Sequence, residues 1–145
     1  MDLVGRYAPR GYDCVCGNLR MASRTVSSIY DRHLRSAGLR ASQMAVLWAV
    51  TALAPATVKS IARRIAMDET TLLRNLAVLQ RRKLIAIDIG EDRRQRVVSL
   101  TGAGREAFAT ALPKWEQAQA EVTEALKASV GSLNRQLLRL AQAER

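Results

Sequence analysis

The segment that most restricts the fold is residues 85–100, because the period of the hydrophobic pattern changes there from helical to alternating. Isoleucines alternate with smaller or polar residues from 85 to 89, and Val98 and Leu100 alternate with their neighbours shortly afterwards. The intervening "GEDRRQR" holds a glycine and three arginines. Alternation on both sides of a short glycine-containing loop predicts a β-hairpin. The tip of this hairpin is therefore predicted to be cationic.

Helices are predicted before the hairpin, from apolar residues that recur three and four positions apart. Each prediction starts at a candidate N-cap, since Asp, Ser and Thr side chains accept hydrogen bonds from the first free amides of a helix. The predicted helices are 13–37 behind Asp13, 43–53 behind Ser42, 58–66 behind Thr57, and a fourth that begins at Asp68. Gly38 is a natural end for the first helix.

The helical period returns after the hairpin, from residue 102 to the C-terminus, with a kink expected at Pro113. The last segment carries Leu133, Leu137 and Leu140 on one side, and residues 122–126 add further apolar positions. These stripes exceed what one small core needs, so a dimer interface is expected to bury them. Packing within one chain is the alternative.

The order helix, short helix, turn, helix, hairpin is that of a winged helix-turn-helix. The predicted fold class is therefore mainly α with a small β-hairpin wing, flanked by N- and C-terminal dimerisation helices. In this arrangement the second helix of the pair lies in the major groove of DNA, where base edges differ most.

The charge of the chain agrees with a polyanionic partner. It has 23 Lys and Arg against 13 Asp and Glu, a net charge of +10, which favours nucleic acid over an anionic membrane. The residues predicted to contact DNA are Thr70, Thr71, Leu73 and Arg74 of the recognition helix, and Asp92, Arg93, Arg94 and Arg96 of the wing. Arginine can bind guanine through two bonds, and guanidinium groups on a hairpin suit phosphates and a narrow minor groove. Each charge taken singly fits an ordinary solvated surface.

The segment "SIARRIAMDETTLLRNLAVLQRRKLIAIDIGEDRRQRVVSLTGAGREAF" resembles the DNA-binding core of MarR-type regulators. The residues that carry the resemblance are Asp68, Thr71, Leu72, Arg74, Leu79, Leu84, Ile85, Asp92, Arg94, Leu100, Thr101, Gly104 and Arg105. The resemblance covers about residues 13–145 and implies a homodimer on double-stranded DNA with a near-palindromic operator. It also implies that Arg94 enters the minor groove and that Asp92 orients it. Lys83 departs from the pattern, because many relatives carry glycine there.

Residues 1–12 contain Gly5, Pro9 and Gly11 and are expected to form a flexible N-terminal arm. The resemblance implies that 13–145 form a single MarR-like domain. Within the domain, 13–37 and 102–145 are expected to be dimerisation helices, and 42–101 the winged-helix DNA-binding lobe.

Two signals for release from DNA are open at this stage. The segment "CGNLRMASRTVSSIY" resembles the first helix of the organic-hydroperoxide-sensing branch of the family, which implies Cys16 as the reactive thiol and Tyr30 as its partner across the dimer. Free amides at a helix N-terminus stabilise a thiolate. Arg20 and Ala41 depart from that branch, which has tyrosines there, and a cysteine used as a small apolar residue is the alternative.

The other signal is a small molecule, since many family members bind aromatic or other small acids between the dimer helices and the DNA-binding lobe. Arg20 or Arg24, His33 and Trp48 are the residues expected to line such an effector pocket. Cys14 and Cys16 are predicted to point in roughly opposite directions on a helix, and no nearby ligand completes a metal site. No metal and no cofactor is therefore expected.

Other classes of function have weaker support. A non-specific architectural or RNA-binding protein is the alternative, and a thiol enzyme that uses Cys16 is a third, thinly supported because no histidine is paired with the thiol. The chain is not expected to be an enzyme. It contains no apolar run near the roughly 18 residues of a membrane span and no signal-peptide core. Two cysteines cannot build a disulfide framework, so a cytoplasmic location is expected.

Overall fold

The computed structural model describes residues 2–7, 11, 13–127 and 129–143, as seven α-helices and one two-stranded antiparallel sheet. The elements are α1 (Leu3–Tyr7), α2 (Val15–Leu34), α3 (Ala41–Ala52), α4 (Val58–Ile65), α5 (Glu69–Arg81), β1 (Ile85–Ile89), β2 (Arg96–Leu100), α6 (Gly102–Leu126) and α7 (Val130–Gln142). A short 3-10 turn, Arg35–Ala37, extends α2. The fold class is as predicted, mainly helical with one hairpin wing.

The core lies between α3, α4, α5 and the base of the hairpin. Six residues of α3 are buried, which is why this helix is apolar nearly all round. The largest fully buried side chains are Leu34, Val46, Leu47, Ile61, Leu72, Leu76 and Leu79. They come from four successive helices, so one close-packed cluster fixes the angles between the elements that carry the predicted DNA contacts.

Two of the predicted N-caps are confirmed. The Thr57 hydroxyl accepts a hydrogen bond from the amide of Ser60 at 3.1 Å, and the Asp68 carboxylate accepts one from the amide of Thr71 at 2.8 Å. These bonds satisfy amides that have no partner within the helix.

The caps predicted for the first two long helices are wrong. Cys14, rather than Asp13, caps α2, and its sulfur accepts a hydrogen bond from the amide of Gly17 at 3.4 Å. The cap of α3 is Arg40 rather than Ser42. There the side chain of Gln43 accepts a hydrogen bond from the Arg40 amide at 3.1 Å, which satisfies the free N–H from inside the helix.

The N-terminal arm also differs from the prediction. Leu3–Tyr7 forms a short helix where a loose segment is expected. The carboxylate of Asp2 accepts a hydrogen bond from the amide of Gly5 at 2.7 Å, which is an N-cap contact that the sequence reading overlooks. Residues 8–10 and 12 of the predicted arm lie outside the described residues.

The hairpin has the predicted position, with Ile85 opposite Leu100 and Ile89 opposite Arg96. The segment before α4 joins it, because the amide of Val98 donates to the carbonyl of Ala56 at 2.8 Å and Thr57 bridges to Val97. The wing is thus hydrogen-bonded to the segment that starts the helix-turn-helix.

The junction of α5, the hairpin and α6 is held by a compact set of contacts. The Thr101 hydroxyl donates to the carbonyl of Lys83 at 2.6 Å, and the Thr101 amide donates to the carbonyl of Leu84 at 3.1 Å. A Cβ on Gly104 would stand 1.8 Å from the Leu84 carbonyl oxygen, so only glycine allows this approach. Leu84, Thr101 and Gly104 are three of the residues that carry the family resemblance.

Lys83 occupies the left-handed region, with φ of 58°. Its amide donates to the carbonyl of Gln80, and the next amide, that of Leu84, donates to the carbonyl of Leu79. This is the backbone geometry that usually takes glycine after a helix. The departure at Lys83 therefore leaves the helix end in place, with backbone strain at one non-glycine residue.

Polar bonds join α2 to α6 along the side of the molecule. The Tyr30 hydroxyl donates to the side-chain oxygen of Gln119. The carboxylate of Glu121 accepts from Arg32 at 2.6 Å and lies 2.7 Å from the Nε2 atom of His33. None of the helices in the part of the chain that the structure describes is long and apolar enough to cross a membrane.

Candidate nucleic-acid interface

One face of α5 is exposed and can contact a ligand. Leu72, Leu76 and Leu79 are fully or almost fully buried and fix the inner face of the helix. The opposite face carries Thr70 and Arg74, both exposed. The buried stripe therefore turns predicted base-contacting side chains outward, as a helix in the major groove requires.

The flanks of α5 carry the other two predicted residues of this helix. Leu73 is 51% exposed, which suits contact with a thymine methyl group. Thr71 is half-buried, and its amide is held by the Asp68 cap. A hydrogen bond with the Thr71 side chain, followed by this backbone bond, holds the pKa of the Asp68 carboxyl below its usual range. The ionised cap also suits the positive end of the helix dipole.

The tip of the wing is ordered by hydrogen bonds within the turn. The carboxylate of Asp92 accepts from the backbone amide of Arg94 at 3.0 Å, and the amide of Gln95 donates to the carbonyl of Asp92 at 2.8 Å. The contact that the structure gives Asp92 is therefore with the backbone of Arg94 and not with its guanidinium. Asp92 thus shapes the turn that carries the arginines, and its role in orienting Arg94 stays a prediction.

The wing and α5 share an open cleft of about 630 Å³ with the start of α4. Arg94 and Arg96 line it from the wing, and Glu69 and Leu73 from α5. The remaining lining residues are Thr57, Val58, Lys59, Ser60, Arg63 and Gln95. Of the predicted contacts, Leu73 of the helix and Arg94 and Arg96 of the wing thus line one cleft, whereas Thr70, Thr71 and Arg74 do not line it. Arg93 is exposed in the same turn but does not line the cleft.

Sequence reasoning missed the contribution of α4 to this cleft. Lys59 is exposed and Ser60 half-buried in its first turn, beside the wing arginines. The available signal was the Thr57 cap, since a capped helix N-terminus next to a predicted recognition helix presents amides suited to a phosphate.

The three residues expected to form an effector pocket do not come together within one chain. His33 pairs with Glu121 on the outer side of α2 and α6. Arg20 lies on α2 thirteen residues before His33, which is about 20 Å along the helix. Only Trp48 lines a cavity, of about 530 Å³, and it packs against the rings of Phe108 and Trp115.

That cavity lies between the lobe and the terminal helices. Its lining residues are Tyr30, Ala41, Met44, Ala45, Trp48, Ala49, Ala52, Arg64, Ile65, Trp115 and Leu138. The surface is mainly apolar, with one guanidinium at Arg64. Burial raises the pKa of the Tyr30 hydroxyl, so it stays neutral in the cavity wall. Arg24 is exposed on α2 and lies outside the cavity.

Both cysteines are free and exposed at the start of α2. The Cys14 sulfur is engaged as the helix cap, whereas Cys16 lies in the first turn. The partner predicted for Cys16, Tyr30, is bonded to Gln119 of its own chain. Among the described residues there is no group of three side chains able to hold a metal ion.

The terminal helices leave apolar side chains uncovered. Leu126 at the end of α6 and Leu137, Leu138 and Leu140 on α7 are exposed, between 39% and 59%. Leu133 is only half-buried. No described residue of α7 is buried, so this helix packs without a core of its own in a single chain.

Comparisons with known proteins place this geometry among solved structures. No family model matches the sequence, and none of the curated proteins matches it. The transcriptional regulator MosR of M. tuberculosis, solved in complex with DNA, is 37% identical with a TM-score of 0.79; the match covers 90% of this chain and 96% of that one.

Two further structures extend the comparison. BpsR of Bordetella bronchiseptica, whose DNA binding is regulated by 6-hydroxynicotinic acid, is 27% identical with a TM-score of 0.75, over 86% of this chain and 96% of that one. A transcriptional regulator of the MarR family from Rhodococcus sp. is 19% identical with a TM-score of 0.77, over 92% and 97% of the two chains. The last likeness concerns the fold alone.

Proposed function

The chain belongs to the MarR family of transcriptional regulators, and on that premise we propose that it is a cytoplasmic homodimer that binds a near-palindromic double-stranded DNA operator and represses transcription until a signal releases it. The observation that carries the proposal is the shared surface of α5 and the wing. There Leu73 lines one cleft with Arg94 and Arg96, and Thr70 and Arg74 are exposed on the outward face of the same helix.

The two parts of this surface have different tasks. Arg74 on the outer face of α5 reads a guanine edge through two hydrogen bonds, and the neighbouring threonines bind phosphate or a thymine methyl group. Arg93, Arg94 and Arg96 on the wing bind the flanking backbone and minor groove, where several guanidinium groups meet concentrated negative charge.

The test is selection of bound duplexes from a random pool, followed by competition. The selected duplex is expected to outcompete random DNA by about a thousandfold at physiological salt. Equal competition would support an architectural or RNA-binding protein instead. Arg74→Ala is expected to relax base choice, whereas Arg94→Ala weakens binding to all duplexes and lowers its salt dependence. Arg24→Ala removes an exposed charge of α2 and is the control. Base choice that survives Arg74→Ala overturns the assignment of α5.

A small aromatic anion is the release signal that the cavity beside Trp48 supports. Aromatic walls from Trp48 and Trp115 suit a ring, and Arg64 supplies a cation for a carboxylate. BpsR, at 27% identity, responds to an acid of this kind. The chain has two tryptophans and both line the cavity, so 6-hydroxynicotinic acid and benzoate as probes should quench the intrinsic fluorescence and release DNA. Arg64→Gln should weaken both the quenching and the release of DNA. If neither changes in this variant, the cavity is not the effector site.

An oxidant is the second candidate signal, favoured by the exposure of Cys16 in the first turn of α2. Cys16→Ser is expected to keep the protein on DNA in the presence of cumene hydroperoxide, while Cys14→Ser still releases. Unchanged release by the Cys16 variant excludes this thiol as the sensor. The two signals are separable, because the aromatic probes act on tryptophan fluorescence and do not need a thiol.

A further inference from the structure

A second group of arginines lies next to the recognition helix, apart from Arg74 and the wing arginines. Arg35 and Arg40 flank the turn between α2 and α3, and Arg82 follows the end of α5. All three are exposed, and they line one groove of about 510 Å³ together with Asp31, Gly38, Leu39 and Gln43.

Two hydrogen bonds fasten this turn and the start of α3 to one flank of α5 and to the residue that follows it. The Ser42 hydroxyl donates to the side-chain oxygen of Asn75 at 3.1 Å, and the Arg82 guanidinium donates to the carbonyl of Gly38 at 2.6 Å. Asn75 and Arg82 lie on the same side of α5, about 60° to 80° from its buried stripe at about 100° per residue.

The wing lies on the opposite flank of the same helix. Glu69 and Leu73 line the cleft shared with the wing, and their positions on α5 are about 60° to 100° from the buried stripe in the other direction. The outward face of α5, with Thr70 and Arg74, is therefore bordered by arginines of the wing on one side and by arginines of the 35–40 turn on the other.

The groove is prepared for an anion. Arg82 is held on the Gly38 carbonyl and keeps further N–H donors for a second acceptor. Gly38 has φ of 68°, and a Cβ there would stand 3.1 Å from the Arg82 guanidinium, so glycine serves both the turn and the arginine. Within the described part of the chain, no ion pair engages Arg35 or Arg40.

The one acidic residue of the groove is directed elsewhere. The Asp31 carboxylate accepts a hydrogen bond from the Ala41 amide at 2.7 Å and faces the positive end of α3. Three cations and one carboxylate thus line the groove. The net charge of its lining is therefore positive, which favours a negatively charged ligand.

We propose that Arg35, Arg40 and Arg82 form a second phosphate-binding site, which holds the DNA strand on the side of the recognition helix opposite the wing. A helix in the major groove has a phosphate strand on each side of it, because the groove is about 12 Å wide and both backbones border it. The proposal rests on the proposed function, since it needs α5 to lie in that groove.

The experiment uses the full chain and a duplex selected by the wild-type protein. Arg35→Gln/Arg40→Gln removes two cations of the groove, and Arg24→Gln/Arg135→Gln removes two exposed cations of α2 and α7 as a matched control. Phosphate ethylation interference and the salt dependence of affinity are measured for all three proteins. In the groove variant, ethylation of one patch of phosphates per half-site should no longer interfere with binding. The fall of log affinity with log salt concentration should become less steep by about 2. Base choice should stay unchanged.

Arg35→Lys/Arg40→Lys retains the charges and should keep most of the slope, which separates phosphate binding from a structural effect. A groove variant that matches the control in salt dependence and in interference overturns the proposal of a second phosphate site. In that case the proposed function is still supported, because the wild-type protein prefers the selected duplex. A wild-type protein without any preferred duplex overturns both.

Discussion

The winged lobe and the terminal helices of this molecule treat their apolar residues in opposite ways. In the lobe, α3 alone has six buried residues, and the leucine stripe of α5 is fully covered. In contrast, α2 has one buried residue over its length, Leu34, and α7 has none. The lobe is complete within one chain, whereas the terminal helices have apolar surface that a second chain is expected to cover.

This difference assigns different physical roles to the two regions. The lobe has to hold Arg74 and the wing arginines at fixed positions, and a closed core with short tertiary hydrogen bonds does so. In the proposed dimer, the terminal helices set the distance between two lobes, and an interface that depends on a second chain can change when the proposed signal binds. The Trp48 cavity lies at the boundary, lined by α3 of the lobe and by Leu138 of α7.

A substitution that disrupts the packing inside the lobe should have the largest effect, a loss of stability. Gly104→Ala places a Cβ 1.8 Å from the Leu84 carbonyl oxygen, so the backbone of α6 or of the hairpin base has to move. We expect a loss of about 4 kcal/mol or more in the free energy of unfolding, measured by urea denaturation. Gly102→Ala is the control, because a Cβ there meets no atom within 4 Å. Equal stability of the two variants would contradict the close packing at Leu84.

Changes on the terminal helices should act on assembly rather than on the fold of the lobe. Leu137→Gln with Leu140→Gln makes an exposed apolar stripe polar, and we expect dissociation into monomers by sedimentation and about a hundredfold weaker binding to an inverted repeat. Ile89→Gln changes an apolar residue of the wing that is even more exposed, at 69%, and should leave the sedimentation unchanged. A dimer that survives the double substitution would mean that α7 packs only within its own chain.

Relief of strain in the lobe should give a smaller effect of the opposite sign. Lys83 has φ of 58°, and Lys83→Gly removes the Cβ that makes this conformation unfavourable. We expect a gain of about 1 kcal/mol in the free energy of unfolding, by thermal or urea denaturation. Lys83→Ala removes the same charge but keeps the Cβ, so it should show no such gain. If both variants gain equally, charge and not backbone conformation is responsible.

The smallest effect concerns the bridge between α2 and α6 and its dependence on pH. Hydrogen bonds from Arg32 and then His33 hold the pKa of the Glu121 carboxyl below its usual 4.5. A lowered pKa in the folded state means that the bridge stabilises fully above pH 4.5, and that this contribution disappears as the pH falls through the folded-state value. The melting temperature of Glu121→Gln should be slightly below that of the wild type at pH 7, with the gap closing in acid. Glu116→Gln on the same helix is the control, and a constant gap would contradict the assignment.

Local patterns predicted most of the lobe. The caps at Thr57 and Asp68, the buried leucines of α5 and both strands follow from side-chain chemistry within a few residues. The caps at Cys14 and Arg40 could not be found in this way, because a thiol is a weak acceptor and Gln43 satisfies the Arg40 amide from three residues downstream.

Contacts between residues far apart in the chain could not be predicted from the sequence. Nothing local indicates that Arg82 reaches Gly38 or that Ser42 reaches Asn75, because these bonds depend on how α2, α3 and α5 pack. The same holds for the effector residues, since His33 points to Glu121 while Trp48 lines the cavity. The need for glycine at 104 depends on the close approach of the Leu84 carbonyl, which the packing of the hairpin base against α6 creates.

The most direct test of the account is the spacing between half-sites in the selected operator. Two lobes joined by terminal helices should need half-sites about one helical turn apart on one side of the duplex. Insertion of five base pairs at the centre rotates the half-sites to opposite sides, and affinity should fall about a thousandfold to that of random DNA. Unchanged affinity, with one chain bound per half-site, would contradict a rigid dimer with paired recognition helices.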